Sequence, residues 1–110
     1  MEPKFNLWIE KSGRVVLSQW RVELLEGIAE TGSISAAAEK LEIPYRRAWE
    51  KMREIERGLG FKVVTTAVGG KGGGGAQLTP AARRAIEQFK AFAEGFEAEV
   101  TRRYQQVFGA

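Results

Sequence analysis

Residues 33–57 constrain the fold of this chain more than any other stretch. Ser33 precedes Ala36-Ala37-Ala38, a short helix expected to end near Leu41. Glu42-Ile43-Pro44 follows, too short and too proline-bound to be helical, and reads as a tight turn. A longer helix then runs from Pro44 to about Arg57, with Gly58 and Gly60 ending it. Pro44 fits the first position of that helix, where its missing N–H costs nothing. Two helices joined by so short a turn must cross closely, and the contact needs small side chains such as Ala37 and Ala38. Ile43, in the turn, is expected between the helices. On the longer helix Ala48, Met52, Ile55 and Leu59 recur at spacings of four, three and four. That is the buried stripe of an amphipathic helix. The opposite face carries Arg46, Glu50, Arg53 and Arg57, flanked by Arg47 and Trp49.

The flanking sequence supplies a scaffold for this pair. Phe5, Leu7 and Ile9 alternate with Asn6, Trp8 and Glu10, a period of two. Lys11-Ser12-Gly13 makes a turn, and Val15-Val16-Leu17 starts a return strand. Ser18 then reads as an N-cap for a helix carrying Trp20, Leu24, Leu25 and Ile28 at helical spacing. It is expected to stop near Thr31-Gly32, with Gly32 in a left-handed cap. Beyond the basic helix, residues 63–66 and 77–79 are two β-prone stretches on either side of a glycine-rich tip that contains Lys71. Two short strands around such a tip make a wing. Thr79-Pro80 caps a last helix, expected to run unbroken to about Phe108. We see no internal repeat and no linker. The expected architecture is mainly α with small β, a winged helix-turn-helix over residues 1–79 and a C-terminal helix over 80–110.

Composition narrows the chemistry. The 110 residues hold no cysteine and no histidine, so there is no disulfide framework and no thiolate or imidazole ligand set. No metal, no cofactor and no catalytic constellation are expected, and the chain is not read as an enzyme. No apolar run is long enough to cross a bilayer, and the N-terminus lacks a signal-peptide pattern. A cytoplasmic, nucleoid-associated protein is the expectation.

Charge points to the partner. The chain carries a net charge of +3, yet residues 44–75 alone hold seven basic and three acidic residues. The excess sits in the basic helix and the tip, as binding of nucleic-acid phosphate requires. A recognition helix presents such a face to the major groove, where arginine pairs bidentately with guanine and glutamate accepts from cytosine. Residues near the helix N-terminus reach base edges most readily. Tyr45, Arg46, Trp49 and Glu50 are therefore the candidates for bases, and Arg47 and Arg53 for phosphate or base. Ser33, Ser35 and Pro44 complete the expected DNA-facing set with Lys71. Trp49 has two readings, packing on the first helix or meeting a thymine methyl. Gly70-Lys71 is not a phosphate-binding P-loop, because Thr65 and Gly72 occupy the places where that pattern needs Gly and Ser or Thr. Two rivals keep the same residues: an architectural DNA-binding protein without sequence preference, and a protein-interaction module of the same shape.

On the last helix Ile86, Phe89, Phe92, Phe96, Val100, Tyr104 and Val107 form a stripe down one side. Its distal part exceeds what a small domain can cover, so Phe89, Phe92, Phe96, Val100, Tyr104 and Val107 are the candidates for pairing with a second copy.

These segments resemble the DNA-binding domain of the molybdate-responsive ModE-type regulators, which are similar to the LysR-type winged helices. The resemblance rests on Gly32-Ser33-Ile34-Ser35 with Ala37-Ala38, on Ile43-Pro44-Tyr45 with Ala48-Trp49, and on Gly69-Gly70-Lys71-Gly72-Gly73-Gly74-Gly75-Ala76 followed by Leu78-Thr79. It implies a homodimer held by the flanking helix, recognition of double-stranded DNA by the third helix and a wing that touches DNA. It also implies control of molybdate uptake or of genes for molybdenum enzymes. Regulators of this kind that sense the oxyanion carry separate C-terminal molybdate-binding domains. The present 110 residues hold none, so a small oxyanion effector is not expected here.

Overall fold

The computed structural model describes residues 1–67 and 75–109. Two short antiparallel strands, β1 (Trp8–Lys11) and β2 (Arg14–Ser18), lead into helix α1 (Gln19–Thr31). Helices α2 (Ile34–Lys40) and α3 (Tyr45–Leu59) follow, then the wing strands β3 (Val64–Ala67) and β4 (Gly75–Leu78), and finally α4 (Pro80–Ala93) and α5 (Phe96–Phe108). The strands form two separate two-stranded sheets, β1–β2 and β3–β4.

The first hairpin turns through Ser12 and Gly13, both at positive φ (54° and 78°), the conformation that a two-residue hairpin connection favours. It is shorter than the expected span from Phe5, because the pairing begins at Trp8↔Ser18. The register changes between Ile9↔Leu17 and Glu10↔Val15, which leaves Val16 as an extra residue opposite no partner. That bulge lets the neighbours Val16 and Leu17 both turn inward, each only 5% exposed.

Helix boundaries are set by caps. Ser18, Ser33 and Thr79 each accept a hydrogen bond from a backbone N–H three residues on, at 3.1 Å in every case. Gly32 and Gly60 end α1 and α3 in left-handed caps. Two expectations change. Pro44 is the N-cap of α3 rather than its first helical residue, with extended backbone and no side-chain cap bond. Gly58 does not stop α3 but lies inside it, and a Cβ there would sit 2.7 Å from Val16 Cγ2. The glycine is thus a packing requirement: β2 lies directly on α3.

The core collects Leu24, Leu25 and Ile28 of α1, Ala37 and Ala38 of α2, Ala48, Met52 and Ile55 of α3, Val63 and Leu78 around the wing, and Phe89 of α4. The close crossing of α1 and α2 uses Gly27 against Ala37, where an added Cβ would stand 3.3 Å from the Ala37 Cβ. Ile43 packs half-buried against this core.

The C-terminal helical stretch spans the expected residues but is interrupted at Glu94-Gly95. Gly95, at φ 87°, divides it into α4 and α5. The two parts differ in burial. Ala82, Ala85, Ile86 and Phe89 of α4 are buried, and Lys90 pairs with Glu26 of α1. Helix α5 buries nothing. Helix α4 thus shares the core of the preceding elements. Phe89, expected on a dimerisation face, is 2% exposed and belongs to the chain's own core.

Candidate nucleic-acid interface

Helix α3 is held from behind and from both ends. Ala48, Met52 and Ile55 pin its inner face to the core. Its entry is fixed by the turn, where Glu42 adopts φ 58° and the Ile43 N–H donates to Ala38 O at 3.0 Å. Its later turns are fixed by side chains that sequence inspection did not single out. Arg21 of α1, only 8% exposed, donates through Nη2 to Glu54 Oε1 at 2.7 Å. This hydrogen bond holds the Glu54 carboxyl below its usual range. Glu56 accepts from the Val63 N–H at 2.9 Å, tying the start of the wing to α3. The signal was present in the sequence as carboxylates beside the apolar stripe, but nothing local marks their partners, 33 and seven residues away.

With the helix so fixed, its outer face is available. Tyr45, Arg46, Arg47, Glu50, Arg53 and Arg57 are all exposed. The Arg46 side chain is 92% exposed, and its Nε stands 3.9 Å from Glu50 Oε1, a loose pair that a base or phosphate can displace. The placement of Trp49 bears on its packing alone. It packs half-buried against the core. Its ring also meets Tyr45 edge-on at 6.2 Å and carries the Arg53 guanidinium over its face at 5.6 Å. These contacts orient Tyr45 and Arg53 on the exposed side, so Trp49 acts as their platform.

The rest of the expected set is placed less uniformly. Ser35 is exposed on the first turn of α2. Ser33 is half-buried, and its hydroxyl caps α2. Pro44 is exposed at the start of α3. The wing strands pair from Val64↔Leu78 to Ala67↔Gly75, and the Ala76 N–H donates to Gly32 O at 2.8 Å, docking β4 against the end of α1. Thr79 braces the base of the wing by donating from its hydroxyl to Lys62 O at 2.7 Å. Lys71 and the tip around it lie outside the described residues.

A tri-helical core, a helix with an exposed basic face and a following two-stranded wing define the winged helix-turn-helix class of DNA-binding regulators. Within it, residues 20–83 match the bacterial regulatory helix-turn-helix proteins of the lysR family, and the chain belongs to that family. Among curated proteins it is 47% identical over 75 residues to the molybdenum-pterin-binding protein MopB of Rhodobacter capsulatus, covering 68% of this chain and 28% of that protein. It is 34% identical over 94 residues to the DNA-binding transcriptional dual regulator ModE of Escherichia coli (strain K12), covering 86% of this chain and 36% of the relative. To the molybdenum transport protein ModE of Azotobacter vinelandii it is 33% identical over 86 residues, covering 78% and 32% respectively. The chain thus spans about a third of the length of these relatives. Among the described residues no helix is long and apolar enough to cross a membrane.

Proposed function

We propose that the chain reads specific duplex DNA as a homodimer and serves the control of genes for molybdenum transport or use. The observation that carries this is the face of α3 with Tyr45, Arg46, Glu50 and Arg53 exposed beside half-buried Trp49, held on a buried stripe within the family-matched segment. Helix α3 enters the major groove. Arg46 and Glu50 select bases, Tyr45 and the exposed edge of Trp49 contact base methyls and sugars, and Arg47 and Arg53 take phosphate or base. Ser35 reaches the backbone from α2, Ser33 and Pro44 set the approach of α2 and α3, and Lys71 adds charge at the wing tip. The molybdenum link rests on the names of the relatives above. The dimer uses α5 and the end of α4, through Phe92, Phe96, Val100, Tyr104 and Val107.

The test is selection of the purified chain against random duplexes at moderate salt, with sequencing of what is retained. An enriched two-fold symmetric site is the expected result. Retention without enrichment would mean binding through the backbone alone, and no retention would refute DNA reading by this chain.

A further inference from the structure

A concavity lies away from the N-terminal end of α3, between its last turns and the first hairpin. It has a volume of about 540 Å³ and is lined by Lys11, Ser12, Arg14, Arg21, Glu54 and Arg57, among others. Lys11, Arg14 and Arg57 are exposed and form its rim, whereas Arg21 is buried and forms its floor. Four cations and one carboxylate thus line it. Glu54 pairs with Arg21 Nη2 at 2.7 Å and also with Lys51, which is not among those four, at 3.7 Å. Lys11, Arg14 and Arg57 make no ion pair among the described residues. The side chain of Arg21 is 9% exposed, and its Nη1 is buried without a hydrogen-bond partner.

A guanidinium is kept out of water only where its donors find acceptors, and a buried donor left over marks a place where an acceptor is wanted. The fork geometry of arginine and its permanent charge suit tetrahedral oxyanions, which accept several such hydrogen bonds at once. The pocket is far larger than one such anion, so a phosphate carried on a small organic body also fits. We propose that this pocket is a binding site for a small tetrahedral oxyanion, free or as a phosphomonoester, gripped by Arg14, Lys11 and Arg57 above Arg21. The opposing charges are Glu54 and the carbonyls of the last turn of α3, and the four cations outweigh them. An anion seated here lowers the positive potential at the far end of the same helix whose other end faces DNA.

The experiment titrates the whole chain with inorganic phosphate and, separately, with glycerol phosphate, at ionic strength held constant with chloride. Thermal stability and the side-chain guanidinium resonance of Arg21 are followed. Saturable stabilisation with a shift of that resonance is expected, and whichever ligand saturates first names the source of the oxyanion. Arg14→Gln and Lys11→Gln, both at exposed positions, should each weaken binding about tenfold, the worth of one charge-assisted hydrogen bond, whereas Arg84→Gln on α4 should change nothing. Stabilisation that follows ionic strength whatever the anion would overturn the proposal. So would equal affinity in the Lys11 and Arg14 variants, or variants that weaken DNA binding while phosphate leaves Arg21 unmoved, which would assign these cations to the DNA backbone.

Discussion

Arg46 and Trp49 stand three residues apart on one helix, and their replacement should give opposite phenotypes. Arg46 has almost no protein contact beyond the loose Glu50 pair. Arg46→Ala should therefore leave stability within about 0.5 kcal/mol while removing about 1–3 kcal/mol of discrimination at one base position. Competition of the selected site against its single-base variants, at fixed salt, measures this, and uniform weakening across all sequences would assign Arg46 to phosphate. Trp49→Ala takes away a half-buried ring and with it the platform for Tyr45 and Arg53. It should lower both stability and affinity. Glu54 makes a third residue-scale prediction. Its pKa is lowered, first by the hydrogen bond from Arg21, so the ionised form is favoured in the folded chain. A depressed carboxylate contributes stability that is full above its unfolded pKa, about 4.3, and is lost as pH falls through the folded value. Unfolding free energies of the wild type and Glu54→Gln should differ most at neutral pH and converge below about pH 4. A difference that persisted unchanged into acid would show that the charge of Glu54 is not what holds Arg21.

At the scale of elements, the join between β2 and α3 is the sharpest case of packing overriding local preference. Glycine inside a helix costs about 1 kcal/mol against alanine, so Gly58→Ala should stabilise α3 if only local propensity mattered. A Cβ at 2.7 Å from Val16 Cγ2 reverses the sign, and the cost of overpacking is about 1–3 kcal/mol. Gly58→Ala should destabilise the chain in thermal or denaturant unfolding. Paired with Val16→Ala, which opens the same space, it should cost less than the sum of the two single changes. The same join shows where the sequence could be read and where it could not. The stripe of α3, the caps at Ser18, Ser33 and Thr79, and the left-handed Gly32 were all legible, because each depends on residues within one or two turns. The bulge at Val16, the helical placement of Gly58 and the Arg21–Glu54 bond were not, because each depends on residues brought together from distant parts of the chain. The exposed face of α3 was legible for the same reason as its stripe. The division of labour within it, with Trp49 supporting Tyr45 and Arg53, needed the rotamers.

At the scale of the molecule, α5 is the part whose position demands an explanation. The Cα radius of gyration is 16.7 Å and the longest dimension 59 Å, against a radius of about 13 Å for a compact domain of this length. The excess comes from a helix that buries no residue of its own. Phe92, Phe96, Val107 and Phe108 are 52%, 37%, 76% and 66% exposed, and Tyr104 stacks on Phe108 at 4.9 Å. Arg102 and Arg103 both pair with Glu99, whose pKa they depress to about 2. These exposed i,i+3 and i,i+4 pairs add little, and thirteen residues are marginal for an isolated helix in water. Helix α5 therefore needs a covering surface to be stable where it stands, and a second copy supplies one if the helices meet along the aromatic stripe. Sedimentation equilibrium should then show a dimer, and Phe96→Glu should shift it to monomer by burying a charge in the contact. The monomeric variant should keep the helical signal of residues 1–93 but lose that of α5. Affinity for a two-fold site should fall far more than affinity for a half-site, because the second half-site is no longer held at high effective concentration. A Phe96→Glu protein that remained dimeric would place the contact elsewhere, and one that was monomeric yet kept full affinity for the symmetric site would show that two chains read the site independently.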